Sequence, residues 1–261
     1  MHRSEIPVDV LLNILDYVDQ ESLAIMCRVN KICCSYSQDV LYRDISVKTP
    51  RVVQVLARST HLARRVRSFE SWYDGQGIAE TLRNMTSLRI LKFRSEFHMA
   101  ILDGCTFKLD SFECYYLLDS DELPFRKFLS GQPSLKYVKF PQYFPSKGPL
   151  SLEATCLPNL TRINATFPWL PYLIPGRPLN EVIIIGSTSY EHSIDFSFFA
   201  LSTTPIQKLT IDYFRISPTP IHTLASFLPS LTHFTLRVWN YILFFENEGV
   251  CGFHLYYFFR Y

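Results

Sequence analysis

The sequence predicts an α+β protein in which a small N-terminal three-helix module is followed by an irregular α/β solenoid. Three observations predict this fold class. Apolar residues recur at helical spacing near the N-terminus, one short apolar phrase then returns through most of the chain, and only 19% of the 261 residues are charged while 48% are hydrophobic. We therefore expect a helical module at 1–47, a repeat solenoid at 48–238 and an atypical aromatic tail at 239–261.

The first predicted helix spans residues 6–18. Its apolar residues share one helical face, and they are Ile6, Val10, Leu11, Ile14, Leu15 and Val18. Pro7 suits the first turn, because its missing N–H would have no intrahelical partner there. Asp9 complements the positive end of the helix dipole. The start of this helix is therefore well defined by its sequence.

Two further short helices are predicted before residue 41. Asp19 and Ser22 offer capping side chains for the second helix, which carries Leu23, Met26, Cys27 and Val29. Asn30 marks a break, a third helix covers Ile32 to Tyr36, and the chain becomes extended over residues 41–45. Isolated helices shorter than about 12–15 residues are marginal in water, so this module requires a packing partner.

These segments resemble an F-box. The residues that carry the resemblance are Ile6-Pro7, Val10-Leu11, Ile14-Leu15, Tyr17-Val18, Leu23-Ala24, Arg28-Val29-Asn30-Lys31 and Leu41-Tyr42-Arg43-Asp44-Ile45. The resemblance implies binding to an SKP-type adaptor and, through it, to cullin and RING subunits of a ubiquitin ligase. The residues it assigns to adaptor binding are Ile6, Pro7, Val10, Leu11, Ile14, Leu15, Val18, Leu23 and Val29. An alternative interpretation is a plain helical cap on the following domain.

After residue 46 an apolar residue is repeatedly followed by apolar residues three and five positions later. The copies are Leu88-Leu91-Phe93, Leu109-Phe112-Cys114, Leu135-Val138-Phe140, Leu160-Ile163-Ala165, Leu179-Val182-Ile184, Ile206-Leu209-Ile211 and Leu231-Phe234-Leu236, with a weaker one at Ala63-Val66-Ser68. Their first positions advance by 19 to 27 residues, close to the roughly 20–29-residue period of leucine-rich repeats.

Each repeat is predicted to be a strand followed by a return segment, because its last two apolar positions have strand spacing. Return helices are expected at 77–85, 122–130 and 219–228, whereas 167–177 is interrupted by three prolines and is expected to be irregular. Stacked units of this kind bury a shared core. The order of elements resembles the degenerate leucine-rich repeats found behind F-boxes in many fungal proteins, which implies that the repeats capture a protein substrate.

Charged residues beside the strand phrases are candidates for substrate binding. They are Arg89, Lys92, Lys136, Lys139, Arg162, Lys208, Asp212 and Arg237, and the primary candidates are Arg89, Lys136, Lys139, Arg162 and Lys208. Most are basic, which favours an acidic or phosphorylated ligand. The alternative is that they form only a solvated strand edge.

Several function classes are disfavoured. The sequence lacks G-x-S-x-G, HExxH and the glycine-rich phosphate-binding patterns, so we expect a non-catalytic protein without a cofactor. The net charge of +2 disfavours nucleic acid as a partner, and the absence of an 18-residue apolar run argues against a membrane span.

The seven cysteines lack metal-binding spacing, so they are predicted to be free thiols in a cytoplasmic or nuclear protein. A scaffold unrelated to ubiquitination is the alternative function.

The last residues depart from the repeat pattern. Residues 241–245 and 253–259 are aromatic or apolar, with Glu246 and Glu248 between them. A terminal repeat is expected to present a polar outer face. This ending is therefore predicted to be either a truncated tail or an aggregation-prone strand that needs cover.

Overall fold

The structure is a computed structural model that describes residues 7–116, 118, 121–140, 152–153, 155–185, 195–213, 226–240 and 253–260. The chain divides into two compact units. The first comprises Met1–Ser95 and Ile101–Lys108, and the second comprises Glu96–Ala100 and Leu109–Tyr261. The boundary predicted after residue 47 lies within the first unit.

Helices and strands alternate after an all-helical start. In the first unit they are α1 (Val8–Leu15), α2 (Gln20–Met26), α3 (Lys31–Leu41), β1 (Asp44–Val47), α4 (Pro50–Arg58), α5 (Thr60–Ala63), β2 (Ser68–Ser71), α6 (Ile78–Asn84) and β3 (Ile90–Phe93). In the second unit they are β4 (Ser111–Cys114), α7 (Glu122–Ser130), β5 (Tyr137–Lys139), β6 (Arg162–Ala165), α8 (Leu170–Leu173), β7 (Glu181–Ile184), β8 (Lys208–Tyr213), β9 (His233–Asn240) and β10 (Phe253–Arg260). Short 3-10 helices lie at Met99–Leu102, Phe167–Trp169 and Ser197–Leu201.

The three predicted N-terminal helices are present. The second begins at the predicted cap Asp19, and the third begins at Asn30, which was predicted only as a break. Asp19 Oδ1 accepts a hydrogen bond from the Ser22 amide at 2.9 Å, and Asn30 Oδ1 accepts one from the Cys33 amide at 2.8 Å. Such caps satisfy amides that lack an intrahelical acceptor. Pro7 lies just before α1 rather than in its first turn.

The third helix is longer than predicted, so the expectation of extended chain from residue 41 was wrong. Ser37 is fully buried, and Val40 and Leu41 are half-buried on the next turn. These positions share a helical face with three- and four-residue spacing, which continues the packed side of α3. The extended segment begins only at Asp44, where β1 starts.

The first unit contains three parallel strands in chain order. Ile45 of β1 aligns with Phe69 of β2, and Phe69 aligns with Leu91 of β3. The weak phrase at Ala63-Val66-Ser68 was therefore placed three residues early. Ala63 is the last residue of α5, and the buried residues that match the other phrases are Val66, Phe69 and Ser71.

In the described part of the second unit, the strands β4 to β9 are parallel, and each pairs with the next along the chain. The central apolar residue of every phrase lies in one row across these strands: Phe112, Val138, Ile163, Val182, Leu209 and Phe234. All six are buried. The strands predicted from these apolar phrases are thus confirmed, and the structure shows that they are parallel.

The return segments agree in part with prediction. The helices expected at 77–85 and 122–130 are α6 and α7. The segment at 167–177 contains a 3-10 helix and α8, so the expected irregular loop was wrong. Pro168 and Pro171 lie at the first turns of these two short helices, where no N–H is needed. Most of the predicted helix at 219–228 lies outside the described residues.

An aromatic series fills the core of the second unit. The ring centroids of Phe112 and Phe125 lie 6.1 Å apart, those of Phe125 and Phe140 5.6 Å, and those of Phe140 and Trp169 4.9 Å. All four side chains are fully buried. Because Phe125 belongs to α7 and Trp169 to a 3-10 helix, this series packs the return segments against the sheet.

Arg177 is a fully buried arginine whose guanidinium binds backbone carbonyls. Its guanidinium donates to the carbonyl oxygens of Leu152, Glu153, Cys156, Tyr172 and Pro175 at 2.9–3.5 Å. Burial lowers the pKa of this guanidinium from its ordinary value. The side chain therefore ties two return segments together from the inside of the second unit.

The C-terminal strand β10 pairs antiparallel with β9, with Phe253 opposite Asn240 and Arg260 opposite His233. Trp239 and Asn240 belong to β9, so the last repeat strand extends two residues past the predicted boundary at 238. Residues 241–252 lie outside the described part of the chain.

Candidate adaptor-binding surface and recognition face

The first helix exposes an apolar stripe to solvent. Pro7, Val10, Ile14 and Tyr17 follow one another at spacings of three, four and three residues, which places them on one side of α1 and its ends. Val10 is 43% exposed, Ile14 50% and Tyr17 92%. We call these four residues the α1 stripe. Contiguous exposed apolar side chains of this kind mark an interaction surface.

Leu15 and Leu23 were predicted to bind the adaptor, but both are buried within the first unit. Their side chains pack α1 and α2 into the module. They stabilise it but are not accessible to a partner. Leu11 and Val18 are half-buried, whereas Ile6 lies outside the described residues. Helical periodicity shows that α1 is amphipathic, but it does not separate the side that packs inward from the side that stays exposed.

A second exposed apolar group lies around the turn between α2 and α3. Ile25, Val29 and Ile32 are 61%, 65% and 64% exposed. Only Val29 was predicted, and the other missed apolar residues of the module are Val8 and Tyr17. The spacing of Tyr17 from Ile14 is helical and could have revealed its place on the stripe. Ile25 and Ile32 belong to different helices, so no single period joins them.

Ion pairs hold the helices to the segment that follows them. Arg43 donates to Asp16 at 2.7 Å and to Asp44 at 3.0 Å, and the hydrogen bond to Asp16 raises the pKa of this guanidinium. Arg65 pairs with Asp39 and donates to the Ser35 carbonyl at 3.0 Å. These partly exposed pairs contribute little individually. They do fix the orientation of α1 and α3 within the first unit.

Residues 4–43 match the family model of the F-box domain. The N-terminal module is an F-box domain. Domains of this family generally mediate binding to SKP1-type adaptors within SCF ubiquitin ligases, and F-box proteins are typically non-catalytic subunits. The α1 stripe lies within the matched residues. The comparison with curated proteins found no match to this chain.

The parallel sheet of the second unit follows the F-box along the chain. One of its faces buries the apolar row, and the other carries mainly polar side chains. Its outward residues form rows, because consecutive strands are in register. One row runs through Ser111, Tyr137, Arg162, Glu181, Lys208 and His233. The next runs through Glu113, Lys139, Asn164, Ile183, Thr210 and Thr235. We call these two rows, with Asp212 and Arg237, the recognition face.

Several charged groups of the recognition face have fixed partners on it or beside it. Arg162 Nε lies 3.1 Å from Glu181 Oε1, and its guanidinium lies 5.0 Å from the centre of the Tyr137 ring. Lys139 Nζ donates to the Tyr115 hydroxyl at 2.7 Å. The positions of these cationic side chains are therefore fixed by neighbouring groups, and the charge of Arg162 is partly compensated by Glu181.

Two oxygens on this face are buried and accept no hydrogen bond from any residue that the structure describes. They are Asn164 Oδ1 and Asp212 Oδ1. Burial raises the pKa of the Asp212 carboxyl above its ordinary value, although Arg237, 3.4 Å away, and Lys139 act in the opposite direction. An unsatisfied buried acceptor costs free energy. Both atoms would gain from a ligand that brings N–H or O–H donors.

The structure brings only some of the predicted substrate-binding residues together. Lys139, Arg162 and Lys208 share the recognition face. Lys136 precedes β5, where its ammonium lies 3.5 Å from Asp110, and Arg89 belongs to the first unit. The face holds Lys139, Arg162, Lys208 and Arg237 against Glu113, Glu181 and Asp212. This near balance removes the main support for a purely acidic ligand.

Other kinds of site have no counterpart in the part of the chain that the structure describes. Within those residues no group of three His, Cys, Asp or Glu side chains is placed to hold a metal ion. Six of the seven cysteines lie there, and all six are free thiols. No helix in the described ranges is both long and apolar enough to cross a membrane.

Proposed function

We propose that this chain is the substrate-receptor subunit of an SCF-type cullin-RING ubiquitin ligase. The observation that carries the proposal is the α1 stripe, which lies exposed on a module identified as an F-box domain. The stripe binds an SKP-type adaptor, which in turn links the chain to cullin and RING subunits. Full burial of an exposed apolar side chain contributes about 1.5–3 kcal/mol, so a few such residues can support a stable interface.

The repeats after the F-box are proposed to form a degenerate leucine-rich-repeat solenoid that captures the target protein. Two features support this architecture. The central residues of the phrases are buried in one aligned row, and the strands pair in chain order, with short helices in the returns from β6 to β7 and from β7 to β8. In this arrangement the recognition face binds the target, and transfer of ubiquitin results from proximity to the charged E2 rather than from chemistry in this chain.

The complex is proposed to act in the cytoplasm or nucleus. Affinity purification of the full chain from cells, followed by identification of the recovered proteins, tests the assignment. We expect an SKP-type adaptor and a cullin to be recovered together with at least one further protein whose recovery does not depend on the adaptor. Recovery of partner proteins without adaptor or cullin would instead support a scaffold unrelated to ubiquitination.

Reversing one charge on the recognition face should separate target binding from adaptor binding. Lys208 is exposed in the row beside Glu181, and Lys208→Glu removes no ion pair that the described residues form. We expect recovery of the target to fall by about tenfold, as for loss of one charge-assisted contact, while recovery of the adaptor is unchanged. Lys127→Glu on the exposed side of α7 is the matched control and should leave both unchanged. Equal target recovery by all three proteins would contradict the proposed role of this face.

A further inference from the structure

The first unit contains a basic pocket that neither the F-box nor the recognition face uses. This pocket has a volume of about 510 Å³ and is lined by Arg67, Thr86, Ser87, Leu88, Arg89, Thr106 and Lys108. We call it the Arg67 pocket. Its lining combines three basic side chains with three hydroxyls and holds no carboxylate. This is the donor chemistry that phosphate groups select.

Backbone pairing explains why arginines accumulate here. The Arg67 amide donates to the Arg43 carbonyl at 2.9 Å, and the Arg89 amide donates to the Arg67 carbonyl at 2.8 Å. Neighbouring strands lie about 4.8 Å apart, so three arginines stand in a row just before β1, β2 and β3. Like charges placed side by side on neighbouring strands are destabilising. A bound anion would relieve this repulsion.

The three arginines of this row differ in how they are neutralised. Arg43 is paired with Asp16 and Asp44. Arg67 makes no ion pair with any residue in the described ranges, and it is exposed at the pocket. The Arg67 guanidinium is therefore the group of the row that is available to an incoming anion.

A second pocket of about 560 Å³ shares Arg67 and Ser87 with the first and also lies within the first unit. Together the two pockets are lined by six lysines and arginines but by only two carboxylates, Asp16 and Asp39. The whole chain carries a net charge of only +2. Positive charge is thus concentrated at this site, and the summed field of these side chains attracts anions over a longer distance than one hydrogen bond does.

We propose that the Arg67 pocket binds the dianionic group of a phosphate monoester. Arg67 and Lys108 supply positive charge, and the hydroxyls of Thr86, Ser87 and Thr106 donate hydrogen bonds to the phosphate oxygens. The same group can come from a free small molecule or from a phosphorylated side chain. This binding is separate from adaptor capture, because the pocket residues lie outside the matched F-box residues 4–43.

Calorimetric titration of the full chain tests the proposal at an ionic strength held constant with sodium chloride. The probes are inorganic phosphate, phenyl phosphate, a peptide with one phosphoserine and its unphosphorylated form. We expect phenyl phosphate and the phosphopeptide to bind, and the unphosphorylated peptide not to bind. Similar affinities for phenyl phosphate and the phosphopeptide would indicate a free monoester, whereas tighter binding of the phosphopeptide would indicate a phosphorylated side chain. Absence of binding by every phosphate probe would overturn the proposal.

Substitutions locate the binding. Arg67→Gln and Lys108→Gln should each weaken phenyl phosphate binding by about tenfold or more, while Arg51→Gln, which removes an exposed charge outside the pocket, should not change it. Adaptor capture serves as the folding check for each variant. If Arg67→Gln loses adaptor capture, phosphate binding by Lys108→Gln tests the pocket instead, because Lys108 is an exposed side chain. Equal losses in all three variants would show a diffuse charge effect and would overturn the proposed pocket.

Discussion

Val10→Asp combined with Ile14→Asp is expected to abolish capture of the SKP-type adaptor. Both side chains are about half exposed on the α1 stripe, so the change leaves the core of the module intact. It removes two apolar contacts, worth about 1.5–3 kcal/mol each when fully buried, and places two carboxylates in an apolar interface. The affinity should fall by at least about a hundredfold, measured by titration with purified adaptor.

The matched control introduces the same chemistry elsewhere in the first unit. Val55 and Trp72 are 47% and 52% exposed and lie outside residues 4–43. Val55→Asp with Trp72→Asp therefore removes two exposed apolar side chains and adds two carboxylates, yet it should leave adaptor capture unchanged. If the stripe variant retained wild-type affinity, or if both double variants lost it equally, the α1 stripe would not be the adaptor-binding surface.

Arg177→Leu is expected to destabilise the second unit severely. The guanidinium is completely buried and donates to five carbonyl oxygens of two return segments. Hydrogen bonds from charged groups contribute about 1.5–3 kcal/mol each, and a buried carbonyl that loses its donor costs further free energy. We expect a loss of at least about 3 kcal/mol in the free energy of unfolding, measured by urea titration and followed by fluorescence of the buried Trp169.

Arg162→Leu is the control for that measurement, because Arg162 is an exposed arginine in the same unit. Its ion pair with Glu181 is partly solvent-screened and should contribute at most about 1 kcal/mol. Arg177→Lys keeps the charge but cannot serve five carbonyls, since an ammonium carries three donors. The free energy of unfolding of Arg177→Lys should therefore lie between those of the wild type and Arg177→Leu. Equal stability of Arg177→Leu and Arg162→Leu would contradict a structural role for Arg177.

Local sequence signals predicted the secondary structure where one feature decided it. Asp19 marked a helix start because its short side chain caps an amide, Asn30 marked the break between two helices, and the apolar phrases marked strands because their period is that of a strand. The register at β2 was missed because two overlapping sets of residues have the spacing of the phrase. One is Ala63-Val66-Ser68, which was predicted, and the other is Val66-Phe69-Ser71, which the structure shows. Only pairing with β3 distinguishes the frames.

The sites were less predictable than the fold. Leu15 and Ile14 are adjacent apolar residues of one helix, but Leu15 is buried and Ile14 is half exposed. Which of them packs inward depends on the neighbouring helices, and the sequence of α1 does not contain that information. The same holds for Arg162, whose charge is compensated by Glu181 across 19 residues of sequence through strand pairing. The pocket at Arg67 likewise arises only from parallel register.

The central claim is that the F-box domain of this chain binds an SKP-type adaptor directly. Mixing the purified full chain with purified adaptor, and measuring the mass of the product by light scattering after size-exclusion chromatography, tests it most directly. We expect a stable complex of one chain with one adaptor at about 10 µM of each component. Two separate peaks with the masses of the free proteins at that concentration would contradict it.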